Sequence, residues 1–280
     1  MDRRLPWWKT ILVACVMLST VAANAAGEPP DPGDDAAIEG FQKYAKETAA
    51  RYEFRSQTNA DRKFSLIDES ILRWTNPVGG RQAHGEVFLW TDWGRPAAVL
   101  SLYQVTEAGV VHEHHEFCSL SLEGLTGQRS GQPAWSPAEA GVELKAFPEG
   151  PAVQDSARLR MVQMRRLAEQ LQADKTTRDG VKRELRLLPK PVYRYESSDP
   201  DILDGALFSF VEATDPEVFL LIEARSKGKD EHEWRYGLGR MNSIRLRVLR
   251  GEQILWEAAE LRWRDALDRP DKAYTAMRIR

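Results

Sequence analysis

A chain of 280 residues holds about two domains' worth of sequence, with 42% hydrophobic and 29% charged residues and a mean hydropathy of −0.49. That balance excludes a disordered chain and a polytopic membrane protein. A formal charge of −3, from 39 basic and 42 acidic residues, supplies no general attraction to nucleic acid.

Residues 1–25 read as an export signal. Arg3, Arg4 and Lys9 precede an apolar stretch from Ile11 to Ala23, and Ala23-Asn24-Ala25 offers small residues for cleavage after Ala25. The apolar run is short for a spanning helix, which needs about 20 residues. An uncleaved anchor and lipidation at Cys15 are the other readings of this segment. Cleavage removes three basic residues and Asp2, moving the formal charge from −3 to −5, and leaves Cys118 as the one cysteine. A single thiol forms no internal disulfide, and Phe117-Cys118-Ser119-Leu120 suits a buried apolar position.

Residues 26–35 form a flexible acidic lead-in, and Asp34 or Asp35 is placed to cap a helix over about 36–54. Ala37, Phe41, Tyr44 and Thr48 fall on one face of that helix. Strands are expected at 64–67, 71–74, 85–91, 98–105 and 110–122, with Gly94-Arg95-Pro96 turning the third into the fourth. Residues 124–152 are rich in Gly, Pro and Ala and read as a long connection carrying Trp135. A second helix is expected over about 156–173, with Ala157, Met161, Met164, Ala168 and Leu171 as its stripe. Strands return at 184–188, 192–196, 205–212, 217–225, 233–239, 244–249 and 253–258.

Landmarks recur at a spacing near 120. Gly85 through Trp90 matches Gly205 through Phe210, Pro96 matches Pro216, and Arg73-Trp74 matches Arg194-Tyr195. His115-Glu116-Phe117 is matched with His232-Glu233-Trp234. The chain is therefore expected to be α+β, built of two related helix-plus-antiparallel-sheet halves about a pseudo-twofold axis. The first half covers 36–152 and the second 153–262, with a C-terminal tail over 263–280.

Three groups of side chains carry possible chemistry. His112, His114 and Glu116 share one face of a strand, and Zn²⁺ could be held there if the strand curves and a fourth ligand arrives. On a straight strand such residues spread over roughly 13 Å, which favours a solvated edge instead. Asp199, Asp201 and Asp204 crowd one loop, as a Ca²⁺ site or as turn and capping residues. Trp74, Trp90 and Trp93 lie within 20 residues, either to stack on a ligand such as a sugar ring or to fill a core. Arg235, Arg240, Arg245, Arg247 and Arg250 form a basic stretch. No Gly-x-Ser-x-Gly elbow, phosphate loop or dinucleotide fingerprint is present, so no catalytic residue is named.

The segments Arg73-Trp74-Thr75-Asn76-Pro77, Val87-Phe88-Leu89-Trp90-Thr91, Gly94-Arg95-Pro96, Gly205-Ala206-Leu207-Phe208 and Thr214-Asp215-Pro216-Glu217-Val218 resemble an uncharacterised exported family of planctomycete-type bacteria. The resemblance covers about 36–258 and implies export without implying an activity, cofactor or catalytic residue. The expected protein is exported to the periplasm, envelope or medium, with no membrane span after signal cleavage. Its expected role is a non-catalytic binding or structural module whose partner is an envelope polymer or protein and not nucleic acid. The competing reading is a hydrolase of an extracytoplasmic polymer, metal-assisted through the His112–Glu116 strand.

Overall fold

The computed structural model describes residues 32–76, 82–107, 110–228 and 231–279. The expected export signal, residues 1–25, and the start of the expected acidic lead-in lie outside the described residues. Contacts separate Met1–Glu39 from Gly40–Arg280. Of the first unit the described part is the start of one helix, and the sheets belong to the second.

In chain order the elements begin with α1 (Pro32–Ala49), β1 (Tyr52–Ser56), β2 (Ser65–Leu66), β3 (Leu72–Asn76), β4 (Gln82–Asp92), β5 (Arg95–Glu107) and β6 (Val110–Ser119). Then come β7 (Leu125–Arg129), β8 (Gln132–Pro133), β9 (Lys145–Ala146), α2 (Ala157–Ala168), β10 (Gln172–Thr176), β11 (Lys182–Leu187) and β12 (Tyr193–Tyr195). The chain continues through β13 (Ile202–Glu212), β14 (Asp215–Gly228), β15 (Glu231–Arg240), β16 (Arg245–Arg250), β17 (Gln253–Ala258), α3 (Trp263–Ala266) and β18 (Tyr274–Ile279).

The α+β expectation with two helix-plus-sheet halves is overturned. The protein is mostly β, with 53% strand and 12% helix, arranged in several antiparallel sheets. Six strands, β18-β6-β5-β4-β2 with β3 also on β4, form one sheet. Nine strands form a second, in the order β17-β16-β10-β11-β13-β14-β15-β9 with β12 on β13, and β1-β7-β8 form a third. The proposed halves do not close on themselves. Strand β9, from the segment read as a connection, pairs with β15, and β18, from the segment read as a tail, pairs with β6.

The long strands are apolar on both faces because both faces are covered. On β4, Val87 and Leu89 join Val99 of β5, Cys118 of β6, Leu207 of β13 and Phe219 and Leu221 of β14 in a core between the six- and nine-stranded sheets. The alternate residues Phe88 and Trp90 face a different core with Phe41 and Ala45 of α1, Phe54, Phe117 and Trp135. Phe208, Phe210, Leu220 and Ile222 likewise turn away from the first core, toward Met164 and Leu167 of α2. Each fully buried side chain of this size contributes about 1.5–3 kcal/mol. A second sheet, rather than a helix, supplies the shared central layer.

What recurs at a spacing of 120 is hairpin register. Val87 pairs with Ser101 and Leu207 with Leu221, and both hairpins slip register just before the turn, after Trp90 and after Phe210. Trp74 lies opposite Gly85, and Tyr195 opposite Gly205. The match of His115–Phe117 with His232–Trp234 does not hold in pairing. Phe117 faces Leu100, and the residue that faces Leu220 is Leu238.

Helix α1 begins at Pro32, whose fixed φ suits a first helical turn, and ends at Ala49. The alternating burial of Tyr52, Phe54 and Ser56 then makes β1 where a helix had been expected. Helix α2 buries Arg160, Met164, Leu167 and Ala168, so its inner face is rotated from the expected stripe. An arginine is tolerated there because Arg160 Nε donates to Asp204 Oδ2 at 2.9 Å.

Candidate functional site

The β4–β5 hairpin ends in the two-residue turn Trp93-Gly94, flanked by the pair Asp92 and Arg95. Both turn residues have positive φ, 51° and 89°, the geometry of a tight primed hairpin turn. Glycine is required at the second position, where a Cβ would also lie 2.7 Å from the Glu196 carbonyl oxygen. Tryptophan is a poor choice for the first, where Asn or Asp would carry the left-handed backbone at lower cost. The turn is held all the same. The Trp93 carbonyl accepts hydrogen bonds from Ser198 N at 3.0 Å and Ser197 Oγ at 2.8 Å. Its indole remains 56% exposed, with the Arg62 guanidinium 5.5 Å from the ring centroid.

Beneath the indole lies a cavity of about 250 Å³ lined by Arg62, Asp92, Trp93, Arg95, Glu123 and Asp199, among others. Arg62 bridges Asp92 at 3.2 Å and also pairs with Glu123. Ser56 Oγ donates to Glu123 at 2.6 Å, and Thr58 adds a second hydrogen bond. Burial opposes charge on Glu123, but these hydroxyls and Arg62 hold its carboxyl below the usual value. Asp92 is moved the other way, because burial outweighs Arg62. Three lining residues keep a buried polar atom without a partner: Arg62 Nε, Asp92 Oδ1 and Arg95 Nη2. Such atoms are costly, and having almost no accessible surface they lie behind the cavity wall rather than on it.

Arg95 also anchors this hairpin to the nine-stranded sheet. Its Nε donates to Glu223 Oε1 at 2.7 Å, and Nη1 donates to the carbonyls of Pro96 and Leu120. Glu223 takes further bonds from Tyr195 at 2.7 Å and Arg225 at 3.0 Å. Burial pushes its carboxyl up, but Arg95, Tyr195 and Arg225 bring it below the ordinary range.

The three candidate tryptophans do not come together. Trp74 is buried between the two large sheets, with Nε1 donating to Ser101 Oγ at 3.0 Å. Trp90 lies in the α1-side core, edge-on to Phe54. Trp93 alone of the three reaches solvent. Sequence reasoning named that residue but missed Arg62, Asp92, Arg95 and Glu123 around it. The one local signal was an aromatic residue in a turn that asks for a small polar one.

His112, His114 and Glu116 do share a face of β6, with different partners. His112 meets Arg278, His114 stacks on Tyr103 with centroids 5.1 Å apart, and Tyr274 donates to Glu116. On the other face His115 is buried between Tyr52 Oη at 2.7 Å and Glu113 Oε1 at 3.0 Å. Burial, assisted by Arg129 and His114, pushes its pKa down to about 3, so the contact with Glu113 is a hydrogen bond from neutral imidazole. Asp204 is occupied by Arg160 and Arg194, and Asp199 accepts from the Asp201 backbone at 3.0 Å. Among the described residues no group of three or more His, Cys, Asp or Glu side chains is placed to hold a metal ion.

The basic stretch is internally paired. Arg247 bridges Asp174, Arg245 meets Glu257, Arg235 meets Glu233, and Arg250 donates to the Pro148 carbonyl. Burial pushes the Cys118 thiol up to about 12, which leaves it unreactive. No helix among the described residues is long and apolar enough to cross a membrane. Comparison with protein families, curated proteins and solved structures finds no match, so none of them places the chain in a family.

Proposed function

We propose that the protein is an exported, non-catalytic binding module whose Trp93 ledge takes one sugar ring of an envelope polysaccharide. The observation that carries this reading is an exposed indole held in an unfavourable backbone conformation over a cavity lined by Arg62, Asp92, Arg95 and Glu123. The C–H face of a pyranose is complementary to the negative face of an indole. Its hydroxyls both donate and accept, so they suit a wall that offers carboxylates and guanidinium groups side by side. The cavity is small, which matches a single ring better than an extended chain.

The test is capture of the purified protein on peptidoglycan and on neutral and acidic polysaccharides. The Trp93→Ala variant is expected to weaken capture about tenfold, and Arg62→Ala by a similar amount. Capture unchanged in Trp93→Ala, or absent on every glycan, sinks the proposal. The hydrolase reading has no specific observation in its favour, since the His112–Glu116 side chains are spread over unrelated partners.

A further inference from the structure

A second cavity, of about 230 Å³, opens between β3, β6, β14, β18 and α3. Trp74, Tyr103 and Tyr274 form aromatic walls, and Trp263, 57% exposed, stands among the lining residues. Trp74 and Tyr103 are tilted against each other with centroids 5.3 Å apart. Two carboxyls, Glu116 and Asp215, share the same wall. Their hydrogen-bond donors are neutral: Tyr274 Oη for Glu116, and the Asn76 amide for Asp215 at 3.0 Å.

Three cations lie nearby, and the first, Arg178, bridges Glu260 and already sits 5.2 Å from the Trp263 ring centroid. Arg240 spends its guanidinium on the carbonyls of Asn242, Ala259 and Ile244, and Lys175 bridges Glu212 and Glu217. No ion pair to Glu116 or Asp215 exists among the described residues. Two carboxyls without a cation, in a small pocket walled by aromatic rings, offer negative charge to a cation that displaces their protons. A hydrated metal ion needs converging oxygen ligands, which are lacking here. A diffuse organic cation needs ring faces and nearby negative charge, which this cavity offers.

We propose that the cavity lined by Trp74, Tyr103, Trp263, Tyr274, Glu116 and Asp215 is a binding site for a small organic ammonium ion.

The groups around the carboxyls set the pH behaviour. Burial raises Glu116 to about 8, opposed by the Tyr274 hydrogen bond and by Arg240, and reinforced by Asp215 and Glu217. Burial likewise raises Asp215 to about 8, reinforced by Glu217 and Glu212 and opposed by Asn76 and Lys175. Empty, the site holds protons at neutral pH. A bound cation must displace them, so binding releases protons and tightens as pH rises through 8. Arg240, which lies 5.2 Å from the Tyr274 centroid, works against the guest and keeps affinity modest.

The probe is choline, titrated into the whole protein by calorimetry and tryptophan fluorescence. Its uncharged analogue, with carbon in place of the quaternary nitrogen, is the control. Choline is expected to bind at least about tenfold tighter than the carbon analogue, with affinity climbing from about pH 6 to about pH 9. Glu116→Gln with Asp215→Asn should abolish that climb. Trp263→Ala, at an exposed position, should weaken binding several-fold without disturbing the fold, and Trp93→Ala should leave it unchanged. Equal affinity for the carbon analogue, a flat pH profile in the unaltered protein, or no binding of choline overturns the proposal. The wild-type comparison stands even if the double variant does not fold.

Discussion

Glu223 and the Glu116–Asp215 pair are carboxyls enclosed by the same pair of sheets, and they hold their protons differently. Burial pushes all three upward. Glu223 is brought back by Arg95, Tyr195 and Arg225 and stays ionised. Glu116 and Asp215 receive hydrogen bonds from a phenol and an amide, and both sit at about 8. Depth alone therefore does not decide the charge of a carboxyl in this fold. For these three the difference is the two arginines on Glu223, and a cation does not always suffice, since Asp92 and Glu217 are raised beside Arg62 and Lys175.

The largest effect is expected from Glu223→Ala. It leaves Arg95 and Arg225 without their shared acceptor and should cost about 3–5 kcal/mol in urea unfolding. A loss below about 1 kcal/mol would mean the cluster is far better solvated than its burial implies.

The two glycines opposite aromatic residues sharpen the contrast. A Cβ on Gly85 would lie 2.5 Å from the Trp74 indole, and one on Gly205 would lie 2.4 Å from the Tyr195 ring. Each Gly→Ala change should cost about 1–3 kcal/mol. Gly205→Ala should cost more, because Tyr195 must also keep its bond to Glu223. Gly85→Ala should instead alter the aromatic cavity and its fluorescence response to choline.

The pH dependence of stability separates the two regions by sign. Glu116 and Asp215 have raised folded pKa values, so the folded state keeps protons that the unfolded chain has lost. Stability should fall as pH rises from the ordinary carboxylate range to about 8, and Glu116→Gln should flatten part of that slope. Glu223 and His115 act on the acid side. Glu223, with a depressed pKa, contributes stability that is lost as pH falls through its folded value. His115 is neutral in the fold down to about 3, so stability should fall from near its ordinary value of 6.5 toward 3. A His115→Gln variant should lose that component, as read from unfolding midpoints across pH.

The smallest stability effect is expected at Trp93. Its exposed ring can be removed at a cost within about 0.5 kcal/mol, while glycan capture drops about tenfold. A large destabilisation would reassign the indole to packing.

Much of the strand content was legible, because period-two burial and turn residues are local signals. The β4–β5 and β13–β14 hairpins are announced by long apolar runs that end at Gly94 and Pro216. Strands β7, β8, β9 and β18 were not legible. Strands β7, β8 and β9 are short or polar, and β7, β9 and β18 are strands because a distant partner supplies their hydrogen bonds, while β8 pairs with the adjacent β7. The candidate sites divide in the same way. Trp93 stood out only as one of three tryptophans within 20 residues. Arg62, Glu123, Glu116 and Asp215 carry no local mark, since ordinary charged residues on strands and loops gain meaning only from their neighbours.

By itself, the amino-acid sequence determined where hairpins turn, which strands are apolar on both faces, and that Cys118 has no disulfide partner within the chain once residues 1–25 are set aside. It left open what covers the sheet faces turned away from the expected helices. Tertiary structure decided that a second sheet covers them, that Arg160 belongs inside, and that one buried glutamate has three partners while another has a lone phenol. The physical reason is range. Periodicity and turn propensity act over a few residues, whereas sheet-to-sheet packing and the pairing of buried charges are settled by groups more than a hundred residues apart.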